Sequence, residues 1–357
     1  MHNNALLNGI TKLLIIIFWI GIFFGFLYVP MVFQFWKNDK SLNVATWTDM
    51  LDEDMIKRFE KETGIVINLS YFDNNDELLV KIRETKGQGY DLIIPSDHTV
   101  QLLAHDGLLQ PLDKSKITVW DRVNPRLLGA YFDPENIYSI PYYWGIYGIG
   151  VNKDYFHGIM PEASWNLIFK PLNPFAKISM LDNPREAILL TAFALFGTIE
   201  NLDNKQLEAV KQRLIEQKKW VEAYTEYRAD YLLLSTTCPV VVSTSAYMFR
   251  LMGVQKNVEF IIPTEGTFTV TDNWVIPTAS NHQELVYQFI NFLYQPDVIE
   301  HHFNVFTFIP ATIDIETLLV DYPSIYEAHT NQQTQLLYFK NVLSKTILND
   351  IWIALKA

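Results

Sequence analysis

Short apolar runs of strand character alternate with amphipathic helical patterns after residue 41. The first three strand-like runs are Leu42–Trp47, Ile65–Ser70 and Asp91–Pro95. Between the first two, Leu51, Met55 and Phe59 recur every four residues, acids crowd the first turn, and Gly64 ends the pattern, which predicts a helix. The alternation continues with a predicted helix over Asn204–Tyr224, strands at Val240–Val242 and Asn273–Pro277, and a helix over Gln283–Leu293. It predicts an α/β fold with a largely parallel sheet.

Length and charge narrow the functions that such a fold could serve. The chain has 357 residues, which suggests two domains, and 49% hydrophobic against 19% charged residues excludes general disorder. The 40 acidic residues exceed the 28 Lys and Arg, giving a net charge of −12. Because this charge repels phosphate backbones, we expect no nucleic-acid partner.

The N-terminal 40 residues contain an apolar run from Leu13 to Trp36. Gln34 is its single polar side chain over 24 residues. This is longer than the ~20 residues that span a bilayer and longer than the ~7–15 residues of a secretory signal core. We therefore expect residues 1–40 to form a membrane-spanning signal anchor, with a cleaved signal peptide as the alternative. Either prediction places the rest of the chain at or beyond a membrane.

Enzymatic signatures are lacking in the sequence. The glycine-rich stretch at 145–150 lacks dinucleotide-binding spacing, and neither a phosphate-binding loop nor a nucleophile elbow occurs. The single cysteine, Cys238, lies in an apolar run that is typical of core. The adjacent His301 and His302 lack metal-ligand spacing, which favours a solvated helix end. We expect no enzyme activity, no metal and no cofactor.

Two turns fall at the carboxyl ends of predicted strands, where α/β sheets bind ligands. The first is Trp47-Thr48-Asp49, and the second is Ser96-Asp97-His98 after Pro95. These turns are the first candidates for a binding site.

Ordered segments of the chain resemble one protein family. They are TWTD at 46–49, FEKETGI at 59–65, YDLIIPS at 90–96, LLQPLDKSKI at 108–117, FDPENIYSIPYYWGIYGIGVN at 132–152, PEASWN at 161–166, LDNPREA at 181–187 and INFLYQPDV at 290–298. Together, over residues 42–310, they are similar to the spermidine/putrescine-binding proteins of bacterial ABC transporters.

The resemblance implies a type II periplasmic-binding-protein fold with two α/β lobes, each a mainly parallel sheet flanked by helices. One lobe would comprise 42–147 and 272–315, and the other 148–271 and 316–357. A polyamine or related cationic amine would be captured between the lobes and delivered to ABC permease subunits in the membrane. The resemblance also implies a monomer in the periplasm, here tethered to the inner membrane by residues 13–36.

The resemblance also implies which residues bind ligand. Positions that keep the family's residue type are Trp47, Thr48, Ser96, Glu186 and Asp272. His98 replaces an aromatic residue and Asn183 replaces an acid, whereas Val242 and Val270 stand where the family has cleft tryptophans. Acids pair with ammonium groups and aromatic faces cover methylenes, so this chain keeps acids and loses much of the aromatic cage.

Other roles remain open for these residues and for the chain. Trp47 could be core, Ser96 could cap a helix, Glu186 could complement a helix N-terminus, and Asp272 could be a turn residue. The chain could instead be a membrane-anchored sensor, bind a different amine-bearing ligand, bind iron, or be an enzyme that kept the fold.

Overall fold

A computed structural model describes residues 18–19, 25, 40–48, 50–170, 176–225, 228–315, 317–320, 322–331 and 333–357. The predicted anchor at 13–36 therefore lies almost entirely outside the described residues. Among those that are described, the helices are all too short or too polar to cross a bilayer.

Strands and helices alternate along the described chain. The strands are β1 (Ser41–Trp47), β2 (Val66–Phe72), β3 (Leu92–Ile93), β4 (Ser139–Asn152), β5 (Ile178–Met180), β6 (Val221–Tyr224), β7 (Val240–Thr244), β8 (Val258–Ile261), β9 (Thr267–Val275), β10 (Ile309–Pro310) and β11 (Leu336–Tyr338). The helices are α1 (Glu53–Thr63), α2 (Asn75–Thr85), α3 (Asp97–His105), α4 (Asn166–Phe169), α5 (Pro184–Phe196), α6 (Asn204–Gln217), α7 (Ala229–Leu234), α8 (Ser245–Val254), α9 (Gln283–Leu293), α10 (Pro296–Phe306), α11 (Pro323–Thr330) and α12 (Lys345–Lys356).

The strands pair in the order β2-β1-β3-β9-β4-β7-β5-β6, with β8 and β10 on β4 and β11 on β9. The outer pairs β1–β2, β1–β3, β5–β6 and β5–β7 are parallel, as the sequence predicts. The expectation of mainly parallel sheets is wrong at the centre, where β4 runs antiparallel to β7, β8, β9 and β10. The physical reason is that β4 and β9 are long strands that connect the two halves in opposite directions.

Local signals explain where the first helix begins and ends. Asp52 caps α1 by accepting the Asp54 N–H at 3.0 Å, and Gly64 ends it in the left-handed conformation with φ of 72°. The predicted helix over 204–224 is too long. Val221–Tyr224 instead form β6, which pairs with β5 and provides the edge of the sheet.

Separate hydrophobic cores lie on the two sides of the molecule. One core draws its residues from 42–143 and 274–299, with Phe59 packed on Phe289 at 4.9 Å between ring centroids. The other draws on 147–270 and 339–355, including Trp165, which is fully buried. A third cluster joins 229–260 to 303–319 across the crossing strands.

The expectation of a solvated helix end at His301–His302 is wrong for His302, which is fully buried in α10. Its Nε2 accepts the Asp52 N–H at 3.2 Å, so the neutral ring carries its proton on Nδ1, 3.0 Å from the Tyr142 hydroxyl. Both ring nitrogens are therefore satisfied inside the protein. Cys238 is also fully buried, and burial raises the pKa of its thiol to about 12.

Candidate functional site

Asp272 on β9 and Ser96 at the end of the β3 segment meet at the centre of the sheet. Ser96 caps no backbone N–H of α3. Its hydroxyl instead donates to Asp272 Oδ1 at 2.7 Å, and the two backbones form an antiparallel bridge. Ser96 thus stands at the N-cap position of α3, but its hydroxyl bonds the Asp272 carboxylate, 176 positions further along the chain.

The Asp272 carboxyl lies in an environment that disfavours its charge. Burial raises its pKa to about 7, and the charge of Asp97 adds to that rise, whereas Ser96 and Trp47 lower it. Trp47 is the last residue of β1, and its buried Nε1 is directed toward this carboxyl without reaching the geometry of a full hydrogen bond. No basic side chain of the described chain stabilises the ionised form of Asp272. An uncompensated acid of this kind is suited to an incoming cation.

The remaining candidates near β1 and α3 differ in exposure. Thr48 is exposed directly after Trp47. His98 lies in the first turn of α3, half-buried, with Nδ1 3.8 Å from Asp97 Oδ1. The Trp47 ring packs on Phe72 at 4.6 Å between centroids, so its apolar body is partly core while its polar edge is directed toward Asp272.

Asn183 and Glu186 lie together at the N-terminus of α5. Asn183 is the N-cap, and its side-chain oxygen accepts the N–H groups of Arg185 at 3.0 Å and Glu186 at 3.4 Å. Glu186 Oε2 accepts the Tyr147 hydroxyl from β4 at 3.3 Å. The helix terminus therefore orients Glu186, and the amide that replaces the family's acid at 183 has a structural role here.

Strand β4 connects the two acids. Tyr143 on β4 pairs with Asp272, and Tyr147, four residues on, bonds Glu186. Alternate residues of a strand share a face, so both tyrosines lie on the same face, about 13 Å apart at ~3.3 Å per residue. Between them, Gly145 pairs with Val270, which leaves only small side chains on that stretch of the face.

The two valines at positions where the resemblance implies tryptophans are not equivalent. Val270 is partly exposed opposite Gly145. Val242 is fully buried in the core of the second half. The expectation that both positions border the ligand is therefore unsupported at Val242, because its side chain is enclosed by core residues.

The structure adds three residues to the ligand-binding positions that the resemblance implies. Asp97, which belongs to the strand-end turn already identified from the sequence, is 3% exposed and accepts the Tyr131 hydroxyl at 3.2 Å. Tyr338 on β11 lies near both Asp97 and Thr271. Tyr131 and Tyr338 belong to distant segments and give no local signal.

Over the described ranges, no cluster of three or more His, Cys, Asp or Glu could hold a metal ion. The arrangement consists of two acids on one face of a crossing strand, with aromatic groups beside one of them. It can bind an elongated cation, and it offers no nucleophile paired with a base.

The sequence profile of the bacterial extracellular solute-binding protein family matches residues 54–324. The chain belongs to this family. The Salmonella typhimurium protein named spermidine/putrescine-binding periplasmic protein is 30% identical over 269 residues, covering 73% of this chain and 75% of that protein. The putrescine-binding periplasmic protein SpuD of Pseudomonas aeruginosa is 30% identical over 343 residues, covering 90% and 93%.

Solved structures of the family share the fold. The Streptococcus pneumoniae spermidine/putrescine ABC transporter substrate-binding protein PotD, in complex with calcium and HEPES, superposes with a TM-score of 0.78 at 26% identity, covering 89% of this chain and 99% of that one. A putative spermidine/putrescine ABC transporter protein from Listeria monocytogenes gives 0.76 at 27% identity, covering 89% and 99%. The two-lobed α/β fold of solute-binding proteins is therefore confirmed, and the family and these relatives are binding proteins rather than enzymes.

Proposed function

We propose that this chain captures a small cationic amine of the polyamine class between its lobes and delivers it to an ABC permease. One observation carries the proposal: Asp272 and Glu186 lie on the same face of β4, separated by the small residues Gly145 and Val270. Asp272 also lacks a basic partner among the described residues. A diamine supplies a positive charge to each acid and an alkyl chain to the surface between them.

The division into lobes at β4 and β9 belongs to the same proposal. The two main cores separate near residues 144 and 271, close to the boundaries of 42–147 with 272–315 and of 148–271 with 316–357. Asp272 then belongs to the first lobe and Glu186 to the second. A ligand that binds both acids would hold the lobes together.

The choice of amine is a further part of the proposal. Trp47, Thr48, Ser96, His98 and Asp272 would bind one head group, and Glu186, oriented by Asn183, the other. Because Val270 gives less aromatic cover than the tryptophan of the family, we expect weaker spermidine binding than is usual for these proteins, or a different amine-bearing ligand. A sensor of the same fold would use the same site.

Thermal unfolding of the purified chain tests this function. Putrescine, spermidine and agmatine should each be compared with 1,4-butanediol, which has the length of putrescine without its charge. An amine at 100 times its dissociation constant should stabilise the protein by about 2.7 kcal/mol, and the diol should have no effect. Equal responses to diamine and diol, or no response to any amine, would refute the proposal.

We further propose that residues 13–36 tether the protein to the inner membrane, with the lobes in the periplasm. The length and apolarity of the run support this. Cell fractionation should recover the N-terminal peptide with the membrane, whereas a soluble form beginning near Lys40 would contradict the tether.

A further inference from the structure

Asp97 is a buried acid beside the proposed amine site that the family pattern does not account for. It is the first residue of α3 and is 3% exposed. Its Oδ1 accepts the Tyr131 hydroxyl at 3.2 Å, and its Oδ2 lies 3.4 Å from the backbone N of Thr271, the neighbour of Asp272. His98, with Nδ1 3.8 Å away, is the one basic group that the described residues place within 4 Å of it.

A structural role alone does not explain this placement. Acids favour the first turn of a helix, but exposed acids satisfy that preference equally well. Here the two acids are neighbours in space: Asp97 Oδ2 lies 3.4 Å from the backbone N of Thr271, and Ser96, which precedes Asp97, bonds Asp272 Oδ1 at 2.7 Å. Asp97 is buried and Asp272 is partly buried, so two negative charges at this spacing repel each other, and an incoming ammonium group would relieve that repulsion.

The same region has lost aromatic cover. His98 and Val270 occupy positions where the resemblance implies aromatic residues, so the methylene groups of a ligand would have less aromatic cover, whereas the acid at position 97 supplies charge at the same end of the site. Charge and aromatic cover are alternative sources of affinity for an ammonium group.

We propose that Asp97 is a specificity-determining residue of the amine site. Its carboxylate gives the first lobe two negative charges for one head group, so that the ligand is selected by its positive charge more than by the cover of its methylenes. This inference rests on the function proposed above.

The two acids make binding sensitive to pH in a particular way. The groups that face Asp272 are Ser96 and Asp97 at the start of α3, Trp47 of β1 and Tyr143 of β4. Asp97 itself is faced by His98, by Tyr131 with Arg185 near it, and by Tyr338 with Arg126 near it. The charge of Asp97 favours the protonated form of Asp272. A neutral residue at 97 should therefore lower the pKa of Asp272 while removing one attraction for the ligand.

Calorimetry with putrescine at pH 8.5 and pH 5.5 tests the proposal. Asp97→Asn keeps an acceptor for Tyr131 and removes the charge, and Tyr131→Phe is the matched control that removes the hydrogen bond and keeps the charge. At pH 8.5 we expect Asp97→Asn to bind at least 10-fold more weakly than wild type. At pH 5.5 the loss should shrink to less than 3-fold, because Asp272 then ionises more readily in the variant. Tyr131→Phe should stay within 3-fold of wild type at both pH values.

An equal loss at both pH values, no loss at pH 8.5, or the same loss in Tyr131→Phe would overturn the role of Asp97. Asp97→Ser provides a second neutral variant if the asparagine variant does not fold, since serine also suits the start of a helix.

A measurement on the ligand-free protein distinguishes failure of this proposal from failure of the proposed function. The carboxyl carbon of Asp272, followed by NMR, should titrate at lower pH in the neutral variant, and an unchanged midpoint would overturn the role of Asp97 even if amines bind.

Discussion

At the scale of single residues, the proposed site depends on Asp272, whose ionised form is disfavoured in the folded protein. Asp272 is held by the Ser96 hydroxyl at 2.7 Å, and burial raises its pKa to about 7. Because the pKa of Asp272 is higher in the folded than in the unfolded state, protonated Asp272 contributes fully to the free energy of unfolding below the ordinary pKa near 4. That contribution is lost as pH rises through about 7. Ionisation of Asp272 therefore costs stability in the ligand-free protein, and under the proposed function a bound cation would offset that cost.

For His302 we expect a pH dependence of stability opposite to that of Asp272. Burial lowers its pKa to about 4, with the nearby His301 adding to that effect and Asp52 opposing it. The neutral ring is favoured in the folded state, so its contribution is complete above pH ~6.5 and is lost as pH falls toward 4. The loss should reach about 3 kcal/mol, at ~1.36 kcal/mol per pKa unit.

Chemical denaturation between pH 7 and pH 4.5 measures this contribution. His302→Gln removes the titrating group, so its free energy of unfolding should fall less steeply with acid than that of wild type. His105→Gln is the matched control, because the His105 side chain is 88% exposed. Parallel pH profiles for wild type and His302→Gln would contradict the assignment. Asp272 is present in every variant, so its own titration cancels from the comparison.

At the scale of elements, β9 carries Asp272, the N-terminus of α5 carries Glu186, and β4 runs past both acids. Tyr143 and Tyr147 of β4 lie beside Asp272 and Glu186, and Val270 of β9 lies opposite Gly145 between them. The surface between the acids is therefore formed by the crossing strands rather than by loops.

Substitution of the two valines separates ligand contact from core packing. Val270→Trp should add an aromatic face between the acids and strengthen spermidine binding by roughly 0.5–2 kcal/mol, or about 2-fold to 30-fold. Val242→Trp is the contrasting variant: an overpacked core should destabilise it by about 1–3 kcal/mol. Titration calorimetry and denaturation measure the two effects. Unchanged or weaker spermidine binding by Val270→Trp would mean that position 270 does not face the ligand.

Much of the first half could be predicted from sequence because its signals are local. The strand β1, the helix α1 with its terminal Gly64, and the strand-end turns each follow from patterns within about 15 residues. The antiparallel pairing of β4 with β9 could not be predicted, because it joins segments more than 100 residues apart. The same holds for the Ser96–Asp272 hydrogen bond. Val242 illustrates the limit: its apolar run indicates core, whereas the resemblance places the position at the ligand, and the structure shows that it is buried in core.

At the scale of the whole molecule, two lobes with separate cores are joined by crossing strands, and the proposed division assigns Asp272 to one lobe and Glu186 to the other. A cation that bridges Asp272 and Glu186 stabilises the state in which both acids contact it, and by linkage that state binds the ligand more tightly. A partly buried acid without a basic partner among the described residues suits a cationic solute better than a neutral or anionic one.

The most direct test of this account is calorimetric titration of putrescine into wild type and Asp272→Asn between pH 5.5 and pH 8.5. Removing one member of a buried, hydrogen-bonded charge pair costs about 2–5 kcal/mol, so the variant should bind at least 30-fold more weakly at pH 8.5. Wild-type affinity should be constant above pH ~7 and fall as pH decreases below it, because Asp272 must be ionised to bind the ammonium group. Equal affinities of variant and wild type, or a wild-type affinity that does not change with pH, would contradict the account.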